Sequence, residues 1–273
     1  MRLVICAMAK NEHLYINDWI KWYIKLGFDR IYLYDNDDLD KPFIKDYISE
    51  EYREKVEIID IRGRFENRLQ HKIYTEFYRD YGSLFDWCLF CDIDEFLVGI
   101  HDIHYFFSNP IYKYARQIRI MWKLFGDDDF ITRDMSKPVY EVFKKPIYKS
   151  YAKNLIDRGN LERQGKAFVR GGMQDIVFKS AHFAIIKVRE KVVPSILPSG
   201  KISCSKIAIN EDYSREGIYL YHYMTKSLTE FINQKLKRTD AVFGEIKIDF
   251  NYYWRINRKT PQKIEFLKKL GLI

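Results

Sequence analysis

The sequence predicts an α/β fold of the Rossmann-like kind, with a mostly parallel central sheet flanked by helices and a helical extension at the carboxyl end. Three observations carry this. Short continuous apolar runs alternate with helically spaced segments four times in the first hundred residues. The first of these runs, "LVICAMA" (3–9), is continuously apolar, as strands buried on both faces are. Two of the helical segments stop at a glycine, Gly27 and Gly82.

The elements follow in order. "LVICAMA" (3–9) reads as a buried strand and leads into a helix in which Ile16, Trp19, Ile20, Tyr23 and Ile24 recur on one face. "RIYLYDN" is the second strand, "KPFIKDYISEEYREK" a helix and "VEIIDI" the third strand. "RLQHKIYTEFYRDYG" supplies another helix and "WCLFCDID" the fourth strand. Further on, 117–126, 182–188 and 218–224 read as strands, whereas 127–178 is polar and carries no clear periodicity. Two helices end the chain: "SLTEFINQKLKR", and "TPQKIEFLKKLG" with Thr260 as N-cap, Pro261 in the first turn and Gly271 at the stop. No repeat or linker interrupts this. The expected organisation is one domain over 1–225, divided near residue 100, with a helical extension over 226–273.

Composition bounds the chemistry. At 273 residues the chain can bury a sizeable core. No run approaches the ~18 apolar residues of a membrane span, and the first residues lack a secretory signal's pattern, so a cytoplasmic protein is expected. Four cysteines are too few for a disulfide scaffold, and Cys88 and Cys91, three apart on a strand, face opposite sides. The formal charge is +8, and the stretch from His222 onward, with 11 Lys/Arg against 5 Asp/Glu, carries most of it. Such a tail suits a phosphorylated substrate or an anionic membrane face, and equally an ordinary solvated surface. In "IEFLKKLGLI", Ile264, Leu267 and Leu270 lie at helical spacing among lysines. That fits an interfacial helix at the inner face of the membrane, or one docked on the core.

In parallel sheets ligands bind beyond the carboxyl ends of the strands. Here those ends are 9–12, 34–37, 61–64 and 92–95, which combine acids, an amide and arginines. Asp92 and Asp94, two apart on a strand, point to one side. Two carboxylates there can share Mg²⁺ or Mn²⁺, whose use would be to neutralise a diphosphate as it leaves. A second acid group (Asp35, Asp37, Asp38) and a basic stretch (Arg62, Arg64, Arg68) end neighbouring strands. Acids also cap strands without any catalytic role.

These residues carry a family resemblance. The ordered succession "KNE" (10–12), Trp19, "YDN" (34–36), Gln70, "DIDEF" (92–96), "WKLFG" (122–126), Lys179, "HF" (182–183), "HY" (222–223), "KS" (226–227), Phe231, Lys235 and Arg238 resembles glycosyltransferase family 92 and its bacterial relatives in the family-2-like group. The resemblance spans nearly the whole chain. It implies a GT-A fold whose residues 1–100 bind nucleotide and whose residues 101–225 face the acceptor. It also implies a nucleotide-sugar donor, usually UDP-linked, Mn²⁺ or Mg²⁺, and inverting transfer of a hexosyl group to a glycan or lipid-linked acceptor, with no nucleic acid partner. Galactosyl transfer is a known activity of the family, and nothing in these residues fixes the sugar. By the same resemblance, Asn11, Glu12 and Asp35 would lie on the nucleoside, Asp92, Asp94 and His222 on the metal, and Lys179, Lys235 and Arg238 on the diphosphate. Gln70 is either a donor contact or a helix-start residue.

An inverting transfer needs a base beside the acceptor hydroxyl. "FGDDDF" offers Asp127, Asp128 and Asp129, beside Trp122, whose ring suits stacking on an acceptor sugar. Three acids at this place depart from the family pattern. Glu95 and Asp175 are further candidates, although Glu95 should face away from Asp94 on a regular strand. Gly171 and Gly172 in a basic loop suit a flap that closes over the donor, or a plain surface turn. Two other functions compete: a metal-dependent phosphodiesterase or nuclease, and a nucleotide-sugar-binding protein without turnover.

Overall fold

The computed structural model describes residues 1–147, 161–210, 217–236 and 248–273. Within them the amino-terminal part runs β1 (Leu3–Ala9), α1 (Ile16–Leu26), β2 (Arg30–Asp35), β3 (Val56–Asp60), α2 (Leu69–Tyr81) and β4 (Trp87–Phe90). β1 pairs in parallel with β2 and with β4, and β2 in parallel with β3. This is the parallel sheet that the alternation predicts.

β1 and β4 are apolar and buried along their length because each face of the sheet meets a helix there. Leu3, Ile5 and Ala7 of β1 pack with Ile16, Trp19, Ile20 and Tyr23 of α1. Val4 and Cys6, pointing the other way, pack with Ile73, Tyr74 and Phe77 of α2. Gly27 ends α1 at φ 103°, where its N–H reaches the carbonyls of Tyr23 and Ile24. Cys88 of β4 and Cys91, just after it, are free and buried.

Two elements differ from expectation. The segment between β2 and β3 is a pair of 3₁₀ turns, Ile44–Tyr47 and Glu50–Lys55, because Ile48 and Ser49 are extended between them. Asn17 Oδ1 holds the Ser49 N–H at 2.9 Å and fixes that break. The fourth strand ends at Phe90, four residues earlier than the apolar pattern suggests, and the chain turns before β5 (Glu95–Val98).

After α3 (Ile103–Ser108) comes β6 (Gln117–Phe125), then the short α4 (Val139–Val142) and β7 (Gly165–Arg170). β7, from the stretch without clear periodicity, lies antiparallel between β4 and β6. β8 (Ile176–Val177), β9 (Ile185–Val188) and β10 (Lys191–Val192) form a small separate sheet. β11 (Ser195–Ile196) and β12 (Ile202–Ser203) extend the main sheet, giving the order β12-β11-β6-β7-β4-β1-β2-β3. β13 (Tyr219–Tyr223) lies parallel to β6 and antiparallel to β5.

The carboxyl-terminal part holds α5 (Leu228–Glu230), which runs into a π-helical turn, Phe231–Lys235, and then α6 (Phe250–Ile256) and α7 (Pro261–Lys269). The helix expected to run to 238 takes this wider form instead. Thr260 caps α7 as its sequence predicts, accepting from the Lys263 N–H. Leu267 of α7 is fully buried with Leu228, Phe231 and Tyr253. The terminal helix is therefore docked on the protein. Among the described residues no helix is long and apolar enough to cross a membrane.

Gly171 is not the hinge of a flap. A Cβ there would stand 1.8 Å from the Phe85 carbonyl oxygen, and its N–H is bonded to Asp86 O at 2.8 Å. The glycine lets β7 close against the start of β4, away from the carboxyl ends of the strands.

Candidate functional site

The turn Cys91–Asp94 is locked from below by α1. Trp19 Nε1 donates to the carbonyls of Asp92 and Glu95, each at 3.1 Å, and Tyr23 Oη donates to Glu95 O at 3.0 Å. Because the strand has ended, Asp92 and Asp94 do not share one side by alternation, as the sequence pattern suggested. Each turns to its own cation. Asp92 Oδ2 lies 2.8 Å from Lys166 Nζ, on β7, and its Oδ1 accepts from Gln70 Nε2, on α2, at 2.7 Å. Asp94 Oδ2 accepts from Lys235 Nζ at 2.7 Å, and its Oδ1 faces His222 Nε2 at 3.5 Å.

Pairing across the sheet places the histidine. His222 of β13 stands opposite Glu95 of β5, and the next residue, Tyr223, donates its N–H to Asp94 O at 3.0 Å. Lys235 comes from the π turn, a form that often marks functional sites. The turn's entry is built firmly. Ser227 caps it in a reciprocal box with Glu230, whose Oε1 also accepts from Tyr15 Oη and Arg133 Nε, both at 2.8 Å.

Electrostatics follow from this pairing. Burial alone would raise the Asp94 carboxyl, yet Lys235 and His222 hold it well below the usual carboxylate range. Burial likewise opposes ionisation of Asp92, and Lys166 overcomes it. Glu95 is different. It is fully buried, and burial pushes its carboxyl well up. Its oxygens accept from Trp122 Nε1 at 2.8 Å and from the Asp92 N–H at 3.0 Å. Glu95 thus braces the turn. Trp122, also buried, lies with its ring against those of His182 and His222, so it is a wall of the site and not an open platform for a sugar.

The other expected residues divide into those gathered here and those that are not. Asn11, at φ 60°, donates through Nδ2 to the Gln234 carbonyl at 3.4 Å. Glu12 Oε2 is 3.5 Å from Lys226 Nζ, a fully buried lysine lying 3.8 Å from the Tyr15 ring centre. Asp35 has both oxygens on backbone N–H groups, of Asp37 at 3.0 Å and Ile44 at 2.9 Å, so it shapes its loop. The acid that meets the β1 end is Asp37, which accepts from the Asn11 N–H. Lys179 is exposed in the loop between β8 and β9. Arg238 lies outside the described residues.

Asp127 and Asp128 are bound elsewhere. Asp127 is paired with Lys263 of α7 at 2.5 Å and accepts from Tyr253 Oη. Asp128 Oδ2 accepts from the N–H groups of Lys144 and Lys145, at 2.8 and 3.0 Å. Asp129 is paired with Arg258 and Lys263. Asp175, at φ 55°, is exposed near β8. None of the four shares a contact with Asp94.

Lys166 and the Arg133–Glu230 pair have no expectation behind them, and Lys226 stands within the "KS" of the resemblance without a role. Lys166 left a trace in the sequence as the lone charge within "GKAFV". The others needed the fold.

Does this set fit a divalent cation? Two donors on adjacent positions of an octahedral ion stand about 3 Å apart, close to the Asp94–His222 separation. Asp92 has both oxygens engaged by protein donors. Among the described residues no group of three His, Cys, Asp or Glu side chains stands ready to hold an ion. The residues fit an ion with two protein ligands that completes its shell with substrate oxygens and water, which is how Mg²⁺ is commonly bound.

One further observation locates the site. Among the described residues, three buried side-chain polar atoms lack a hydrogen-bond partner: His71 Nδ1, His222 Nδ1 and Gln234 Nε2. They belong to the neighbour of Gln70, to the partner of Asp94 and to the neighbour of Lys235. Buried polar atoms are seldom left so, and here all three border one cluster.

No protein-family model matches the chain, and no curated protein does. Among solved structures, the chain is similar over 45% of its length to S. aureus TarS, with 15% identity and a TM-score of 0.33, the match spanning 22% of that chain. It is similar over 49% of its length to S. aureus TarS 1–349 in complex with UDP, with 14% identity and a TM-score of 0.33, the match spanning 38% of that chain.

Proposed function

We propose that the protein is a metal-dependent inverting glycosyltransferase of the GT-A kind, moving a hexosyl group from a UDP-sugar to a hydroxyl of a glycan or lipid-linked acceptor in the cytoplasm. The observation that supports it most is the single cluster at the strand ends, where Asp92, Asp94, His222, Lys166 and Lys235 meet and His222 keeps an unpartnered buried Nδ1.

Asp94 and His222 would hold Mn²⁺ or Mg²⁺. Bound there, the ion would supply Lewis-acid stabilisation of charge growing on the departing diphosphate. Lys235, beside Asp94, adds a second positive group for the same oxygens. Asn11 and Asp37, at the ends of β1 and β2, suit the nucleoside side, and Glu12 lies with them. Gln70 and Lys166 keep Asp92 ionised and oriented. In the transfer, the acceptor oxygen bonds to the anomeric carbon as the bond from that carbon to the diphosphate breaks on the opposite face, and the hydroxyl proton passes to a base.

The test is a thermal-shift and turnover screen of the full chain with nucleoside diphosphates and nucleotide sugars, with and without Mn²⁺. UDP at about a hundred times its Kd should add about 2.7 kcal/mol to stability, seen as a raised melting temperature only when Mn²⁺ is present. If no nucleoside diphosphate raises melting and no nucleotide sugar is consumed, the proposal fails.

A further inference from the structure

The two oxygens of Asp94 have different neighbours. Oδ1 faces His222 Nε2, whereas Oδ2 is held by Lys235 Nζ at 2.7 Å. Lys235 Nζ donates also to the Met224 carbonyl at 2.6 Å. The pair is nearly closed to solvent, with side-chain exposures of 12% and 9%. A charge-assisted bond of this length keeps an ammonium on Oδ2, directly beside the Oδ1–His222 position that would hold an ion. Asp92 is engaged in the same way by Lys166, itself 1% exposed.

Two ammonium groups therefore already neutralise the two carboxylates. A bare dication on Asp94 Oδ1 would have to share one buried carboxylate with the Lys235 ammonium, which is costly. A dication arriving with a diphosphate changes the balance, because the diphosphate offers Lys235 new anionic oxygens and frees Asp94 for the ion. The surroundings suit such an exchange. Lys235 ends a five-residue π turn, and the residue before it, Gln234, is buried with an unpartnered Nε2 donor.

We propose that Lys235 is an exchangeable occupant of Asp94: it holds the carboxylate until a divalent cation and a diphosphate arrive together, and then passes to a diphosphate oxygen. The exchange rests on the nucleotide-sugar reading above. It makes and breaks no covalent bond and moves no proton. Its consequence is that ion and nucleotide bind as one unit, each raising the affinity for the other by the same factor.

Free Mn²⁺ measured by electron paramagnetic resonance on the full chain tests this directly. With saturating UDP the chain should bind Mn²⁺ about tenfold or more tightly than without it. Uridine, which lacks the diphosphate, should give no such gain, a comparison that needs no variant. Lys235→Gln, checked for native melting, should bind Mn²⁺ alone about tenfold more tightly than the wild type and lose most of the gain from UDP. Lys235→Arg, which keeps the cation, should retain the wild-type pattern. Wild-type protein that binds Mn²⁺ equally with and without UDP, or with uridine as with UDP, overturns the exchange. So does a folded Lys235→Gln whose affinity for Mn²⁺ alone is unchanged. If Mn²⁺ and UDP still bind together in that case, the glycosyltransferase reading stands and only the exchange falls. If UDP does not bind at all, both fall.

Discussion

Two acidic stretches, "DIDE" at 92–95 and "DDD" at 127–129, follow apolar strands and look alike on paper, yet they end in opposite states. At 127–129 the charges are closed off: Asp127 on Lys263 and Tyr253, Asp128 on two backbone N–H groups, Asp129 on Arg258 and Lys263. Among the described residues, no buried side-chain polar atom of Asp127, Asp128, Asp129 or their partners lacks a hydrogen bond. At 92–95 the carboxylates are paired too, but His71, His222 and Gln234 around them each keep an unpartnered buried atom. What separates a binding cluster from a structural one is thus not the number of acids or their pairing. It is whether the polar groups around them are fully satisfied within the protein.

The largest effects should come from removing one carboxylate in each region, with activity lost in one and kept in the other. Asp94→Asn should lower kcat/KM by about three orders of magnitude, the cost of losing a group that organises charge stabilisation at the leaving diphosphate. Its melting temperature should fall as well, because Lys235, 12% exposed, loses its counter-charge and keeps only the Met224 carbonyl as an acceptor. If the variant retains activity within tenfold of wild type, the cluster is not the catalytic centre.

Asp127→Ala should cost stability alone. It leaves Lys263, which is 0% exposed, without its closest counter-charge and removes the partner of Tyr253. Breaking such a buried pair costs about 3 kcal/mol, and in a chain of this size that lowers melting by roughly 6–12 °C. Activity per folded molecule should stay close to wild type. A loss of turnover comparable to that of Asp94→Asn, at unchanged melting, would return Asp127 to the role of base that the sequence suggested.

The sequence showed which strands exist better than it showed where they stop. Apolar runs buried on both faces announce β1 and β4, because each residue of such a strand meets a helix whichever way it points. The end of β4 was not legible, since Ile93 continues the apolar pattern while the chain has already turned over Trp19 and Tyr23, far away in sequence. Strand alternation is therefore not what brings Asp92 and Asp94 to one place: a turn carries both, and β7 and the π turn supply each with its own lysine. β7 itself was hidden in a polar stretch, and with it Lys166. Residues quoted for the family resemblance fared unevenly. Lys235, His222 and Gln70 reach the cluster, whereas Asp35 serves its own loop and Lys179 stands exposed.

The smallest effect sharpens the same comparison through pH. His182 lies beside Trp122 near Lys166, with Nδ1 bonded to the Gly165 carbonyl at 2.9 Å. Burial, with Lys166 adding to it, pushes the imidazole down to about 4 from its ordinary 6.5. A group whose folded value is lowered binds fewer protons in the native state than in the unfolded one between those values. Stability from His182 is therefore complete above pH 6.5 and is lost as the pH falls toward 4. Asp127 leans the other way: burial raises its carboxyl above the usual 3.8, so it stabilises the fold more as it gains its proton. Melting curves between pH 7 and 4 should slope downward with falling pH, and His182→Gln should flatten that slope while Asp127→Ala, which removes an offsetting group, should not. A slope unaltered by His182→Gln would mean that the acid sensitivity arises from other groups.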